Sequence, residues 1–148
     1  MLKVRRMKRG LMALLGYTTA DVVCVGMGMG VPVFCILLGL PVGWLIVGHV
    51  TAGVSDVGAV LRKVLLFATV TAGVTLAGMA VIWGPCAAML FDPGADLANF
   101  GIPLILYEPR ASFIGWLVLM IVISPVLQLL TTLLGSHLAL IRWAMKRA

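Results

Sequence analysis

The chain has 148 residues, 62% of them apolar and 11% charged, where soluble domains run nearer half apolar and a quarter charged. That balance excludes a soluble domain as the main body, and at about 20 apolar residues per crossing three or four spans use up the length. The net charge of +6 does not point to nucleic acid. Its basic residues flank apolar runs, at Lys3, Arg5, Arg6, Lys8 and Arg9, at Arg62 and Lys63, and at Arg142, Lys146 and Arg147, where Lys and Arg set orientation and meet anionic headgroups. The expected fold is an all-α integral membrane protein: one helical membrane domain over 1–148, a polytopic bundle of three to four segments with an amphipathic basic amino end.

Residues 2–16, LKVRRMKRGLMALLG, put Val4, Met7, Leu11, Leu14 and Leu15 close to one helical face among five cations, the pattern of an interfacial helix on an anionic leaflet. The stretch also has the order of a signal peptide, but an apolar core of only about eight residues argues against removal. A mitochondrial presequence is the lesser alternative.

From Val22 to Ser55 there is no Asp, Glu, Lys or Arg, and the run is interrupted by GMGMGVP at 26–32. Glycine frees the backbone there, and Pro32 biases Val31 away from the α region. Two short segments, about 11–28 and 33–50, then form an antiparallel pair or a re-entrant hairpin. This reading leaves Asp21 near mid-helix, where a charge costs about 3 kcal/mol on insertion scales. The competing reading makes 22–49 a single crossing, with Thr18 as N-cap and Asp21 in the first turn as in a capping box.

A further segment runs from 64 to 90, with Pro85 expected to stop its main helix near Trp83. The loop 91–110 is acidic, carrying Asp92, Asp96 and Glu108 against Arg110. The last segment, 111–141, is too long for a straight crossing at 1.5 Å per residue, so it must tilt, bend at Ser124 and Pro125, or emerge early. Positive charge at both ends and at Arg62 and Lys63, against the acidic loop, predicts both termini in the cytoplasm and an even number of crossings. The expected location is a prokaryotic inner membrane, with a mitochondrial membrane second.

Small residues recur four apart at Gly26 and Gly30, Gly39 and Gly43, Ala68 and Ala72, and Gly73 and Ala77. Small residues let helix backbones approach in lipid, so these faces are expected to pack on other helices of the same or another chain. Cys24, Cys35 and Cys86 have no metal-ligand spacing and read as packing residues.

Four features could carry chemistry. Asp21 is an ionisable group in an apolar segment, which needs a partner or marks an ion path, and Gln128, Thr131 and Thr132 could line a wet path with it. His49 and His137 fall near one face of the membrane, as a bis-histidine haem or a chlorophyll-type pigment would require, although two interfacial histidines are the simpler reading. Tyr107, Glu108 and Arg110 form a polar cluster suited to a partner or a headgroup. Asp92 and Asp96 form a turn rather than a metal loop.

Hydrolase, metalloprotease and P-loop motifs are all missing, so no enzyme, cofactor or metal is expected. The leading expectation is a non-catalytic accessory or assembly subunit of a larger membrane complex, contacting lipids and other membrane subunits. A homo-oligomeric pore, carrier or holin-like protein is the first alternative, and a haem or pigment-binding subunit the second.

Overall fold

A computed structural model describes residues 2–27, 32–52, 56–102 and 106–145, with side chains from Met12 onward. Among them every regular element is helical. Helix α1 spans Leu2–Met27, α2 Val33–Val50 and α3 Val57–Trp83. Short 3-10 helices follow at Gly84–Phe91 and Leu97–Asn99. The chain then runs through α4 (Pro109–Val118), a π-helical stretch (Leu119–Ile123) and α5 (Ser124–Met145) without a break. Three helical stretches, Val33–Val50, Val57–Phe91 and Pro109–Met145, are long and apolar enough to cross a membrane, whereas the apolar part of α1, Met12–Met27, is shorter.

Local chemistry explains several boundaries. Asp56 caps α3, its carboxylate accepting from the backbone N–H of Gly58 at 3.0 Å and of Ala59 at 3.2 Å. That cap starts the helix seven residues before Val64, so Arg62 and Lys63 lie within α3 rather than ahead of it. The helix ends at Trp83, just before Pro85, and tightens into the 3-10 turn. Glu108 caps α4 through the N–H of Ala111 at 3.0 Å, with Pro109 in the first turn, where its missing donor costs nothing. At Gly101 the backbone adopts φ +87°, a conformation glycine takes without strain.

At the amino end, the expected interfacial helix over 2–16 and the segment 11–28 are one continuous helix. Residues 28–31, the heart of GMGMGVP, lie outside the described residues, but α1 and α2 on either side are separate and fold back on each other. Thr18 does not cap anything: Thr18 and Thr19 sit inside α1 and donate to the carbonyls of Leu14 and Leu15, both at 2.9 Å. A single 22–49 helix begun by Thr18 and Asp21 is therefore not what forms.

The closest packing joins α2 to α5. These helices run parallel, with Gly39 against the turn Gln128–Thr132, Gly43 against Thr132–Ser136, and Gly135 against Leu40. A Cβ on Gly39 would lie 2.6 Å from the Gln128 carbonyl oxygen, and one on Gly43 would lie 2.6 Å from the Ser136 nitrogen. Only glycine admits this approach, and it brings side chains onto the neighbouring backbone. Thr131 donates to the Ile36 carbonyl at 2.5 Å and Ser136 to the Gly43 carbonyl at 3.2 Å. Helix α3 runs the other way, joining Val60 and Val64 to Val47, Val50 and Ala139 at one end, and Met79 to Cys35, Phe113 and Met120 at the other. Helix α1 lies alongside α3. The start of α1, the end of α2, the start of α3 and the end of α5 are thus gathered at the same end of the bundle.

Aromatic rings close the opposite end. Trp83 meets Trp116 edge-on with centroids 4.9 Å apart, and Phe100 of the acidic loop meets Phe113 at 5.1 Å. Edge-to-face pairs of this kind contribute about 1 kcal/mol each beyond their burial; the first joins α3 to α4 and the second fixes the loop to α4.

Candidate functional site

Along α4 and α5 the positions Ser112, Trp116, Met120, Ser124, Gln128, Thr132 and Ser136 recur in steps of four, and all are buried. Five of the seven are polar. Ser124 satisfies itself by donating to the Met120 carbonyl at 2.6 Å, and Thr132 by donating to the Gln128 carbonyl at 2.8 Å. Gln128 is long enough to reach across the bundle. Its Nε2 donates to the Tyr17 hydroxyl at 2.5 Å and, at a longer 3.5 Å, to Oδ1 of Asp21. Both partners come from α1, more than a hundred residues away in the chain.

Asp21 is buried, at 5% exposure, about 9 Å from the end of α1 at a rise of 1.5 Å for each of six residues. It faces Thr75 of α3 and Cys35 of α2 as well as Gln128. The Tyr17 hydroxyl and the Thr75 hydroxyl share a hydrogen bond of 2.6 Å, and Tyr17 also reaches the Thr71 carbonyl at 3.2 Å. Asp21, Tyr17, Thr75 and Gln128 therefore make one connected network at the meeting point of all the long helices. No Lys, Arg or His is among the described groups that face it. The Oε1 atom of Gln128, fully buried, has no hydrogen-bond partner.

No protein-family model, no curated protein and no solved structure matches this chain. The site is therefore read from its own atoms.

The remaining sequence candidates are dispersed. Gly39 and Gly43 are buried against α5, and Ala68 is buried in α3, so these positions are occupied within the chain. Gly26, Gly73 and Ala77 are exposed, with nothing within 4 Å of a Cβ built on Gly26 or Gly73. Ala72 is half-buried, and Gly30 lies outside the described residues. His49 stands edge-on to Phe67 at 6.4 Å, His137 is exposed on α5, and no hydrogen bond or ring contact joins the two. Of Thr131 and Thr132, expected beside Asp21 on a wet path, Thr131 donates to the Ile36 carbonyl of α2 and Thr132 to the Gln128 carbonyl of its own helix instead.

The loop cluster also separates. Glu108 serves as the cap of α4, Arg110 donates to the Leu90 carbonyl at 3.1 Å, and Tyr107 is fully exposed. Asp92 and Asp96 each accept from backbone N–H groups of their own turns, those of Gly94 and Asn99. Among the described residues, no group of three His, Cys, Asp or Glu side chains could hold a metal ion. All three cysteines are free thiols, packed around Met79 and Trp116.

Thr75 was missed in the sequence because a lone threonine in an apolar segment carries no motif. The four-residue spacing of Ser124, Gln128, Thr132 and Ser136 was the available signal, since polar groups repeating on one helical face in lipid must face protein.

Proposed function

We propose that this chain is a non-catalytic helical membrane subunit that assembles with other membrane proteins, held in a prokaryotic inner membrane with both termini cytoplasmic. The observation that supports this reading is the outer face of α3. There Thr69, Gly73 and Ala77 lie exposed at four-residue spacing, among the exposed side chains of Leu65, Leu66, Val70, Leu76 and Val81. Lipid satisfies the large side chains, but a small-residue groove between them fits a helix better than an acyl chain. The equivalent groove on α2, at Gly39 and Gly43, is already filled by α5. The orientation is supported by the cations along the start of α1 and at Arg142 near the end of α5, at the end of the bundle opposite the acidic loop.

The test is extraction of the full chain in mild detergent, followed by native electrophoresis of wild type and Gly73→Leu. Co-migration with other subunits that the variant loses supports the reading. Migration of both as the same monomer refutes it, and a homo-oligomer lost in the variant would replace an unlike partner with further copies of the chain.

A second reading, a carrier or pore, is favoured by the buried network around Asp21, because an ionisable group placed inside a bundle marks proton or ion paths in membrane proteins. Proteoliposomes should then pass protons or small cations in wild type and not in Asp21→Asn. Equal flux in both sinks it. The haem or pigment reading has no such support, since no hydrogen bond or ring contact joins His49 and His137.

A further inference from the structure

The hydrogen-bond inventory around Asp21 does not close. Tyr17 and Thr75 bring one O–H each, Gln128 brings two N–H and Cys35 brings a weak S–H, five donors in all by the ordinary side-chain inventory. Against them stand both carboxylate oxygens of Asp21, Oε1 of Gln128, the two hydroxyl oxygens and the Thr71 carbonyl. The shortfall shows where it should, with Oε1 of Gln128 buried and unpartnered and only a long contact from Nε2 to the carboxylate. The network is also one charge out of balance, because the groups facing Asp21 are Tyr17 and Cys24 of α1, Cys35 of α2, Thr75 of α3 and Gln128 of α5, none of them cationic.

We infer that Asp21 is a proton-binding site, and that Gln128, Thr75 and Tyr17 hold its carboxyl group in place in both the ionised and the neutral state. One proton removes the uncompensated charge, and the neutral carboxyl group still accepts from Nε2 of Gln128. A hydronium ion delivers the proton, an O–H bond forms on a carboxylate oxygen, and water departs; loss to water or hydroxide reverses the step. A metal cation fits less well. Gln128 turns its NH₂ toward Asp21 and Tyr17, so the dipole at that face would repel a metal, and oxygen ligands would have to surround it at about 2.3–2.6 Å. Proton binding at Asp21 requires no flux across the membrane.

Infrared difference spectra between acidic and alkaline buffer, in H₂O and D₂O, test it on the full chain in phosphatidylcholine vesicles. The remaining acids, Asp56, Asp92, Asp96 and Glu108, are all exposed. Wild type should show one carboxylic-acid C=O band that titrates apart from those four, shifts down in D₂O and is lost in Asp21→Asn. Thr75→Val and Gln128→Leu, which keep the acid, should move the frequency of that same band, so the site can be located even where Asp21→Asn does not fold. Identical carboxyl bands in wild type and a folded Asp21→Asn would overturn the inference, as would a band that none of the three substitutions moves. A titration that changes when sodium replaces choline would assign the site to a metal cation instead. Absent flux alongside a band lost in Asp21→Asn would remove the carrier reading and leave the proton site standing.

Discussion

Replacing Gly43 by alanine adds a single methyl group at the tightest interface of the bundle. The new carbon would lie 2.6 Å from the Ser136 nitrogen, about 0.8 Å inside the 3.4 Å at which ordinary contact begins, and closer still to the Thr132 carbonyl oxygen. Two of these obstacles are backbone atoms, which no rotamer change removes, so α2 and α5 must separate. Overpacking of this kind costs about 1–3 kcal/mol. Separation also stretches the Ser136 to Gly43 hydrogen bond, and interhelical bonds in membrane proteins are worth about 0.6 kcal/mol on average. Alanine recovers about 0.8–1 kcal/mol through helix propensity, leaving a net loss of about 0.6–2.8 kcal/mol. Gly73→Ala is the internal control, because it gains the same propensity where nothing lies within 4 Å. Unfolding by graded denaturing detergent, followed by helical circular dichroism, compares the two variants with wild type. Gly73→Ala should match wild type or exceed it slightly. Equal midpoints for Gly43→Ala and Gly73→Ala would refute the claim that α2 and α5 meet through their backbones.

Removing the cap of α3 with Asp56→Ala should lower stability by about 1 kcal/mol in the same assay, and Asp56→Asn should restore most of it. Glu108→Ala should cost a similar amount at the start of α4 and leave native migration unchanged, since that carboxylate is engaged with Ala111 rather than with a partner. Asp21→Asn keeps the shape of the buried network but discards its charge, so at alkaline pH it should unfold no earlier than wild type, and later by up to about 3 kcal/mol. Protein purified from haem-supplied cells should show no Soret band, because no hydrogen bond or ring contact brings His49 and His137 together and His49 packs against Phe67 instead. A band that vanished in His49→Ala would overturn that placement.

Much of the helical layout was legible because it follows from composition. Apolar runs, the proline at 85 and the charged flanks mark segments without knowledge of what they touch. Boundaries set by a side chain finding a backbone group were harder. Asp56 reads as one more loop residue until its carboxylate is seen on Gly58 and Ala59, which is why α3 begins earlier than its hydropathy suggests. The site was legible only in part. Asp21 and Gln128 stood out as polar groups in apolar segments, but their union with Tyr17 and Thr75 depends on the order in which α1, α3 and α5 pack. Glycine pairs illustrate the same limit, since Gly39 with Gly43 and Gly73 with Ala77 have equal spacing and opposite surroundings.

The π-helical turn at Leu119–Ile123 lies between the aromatic end of α4 and the polar row of α5. A line of residues spaced by four drifts around an α-helix by about 40° per step, because a turn holds 3.6 residues. Over the steps from Ser112 to Ser136 an unbroken α-helix would carry its two ends onto different sides, yet both ends face inward. The wider turn works as a phase corrector, letting Trp116 meet Trp83 while Gln128 still meets Asp21. Deleting one residue between 119 and 123 would leave composition and hydropathy almost untouched, but would swing Gln128 by about 100° around the helix axis relative to α4. The two halves of this long helix are therefore geared together, and the polar network depends on a segment that contributes no polar side chain to it.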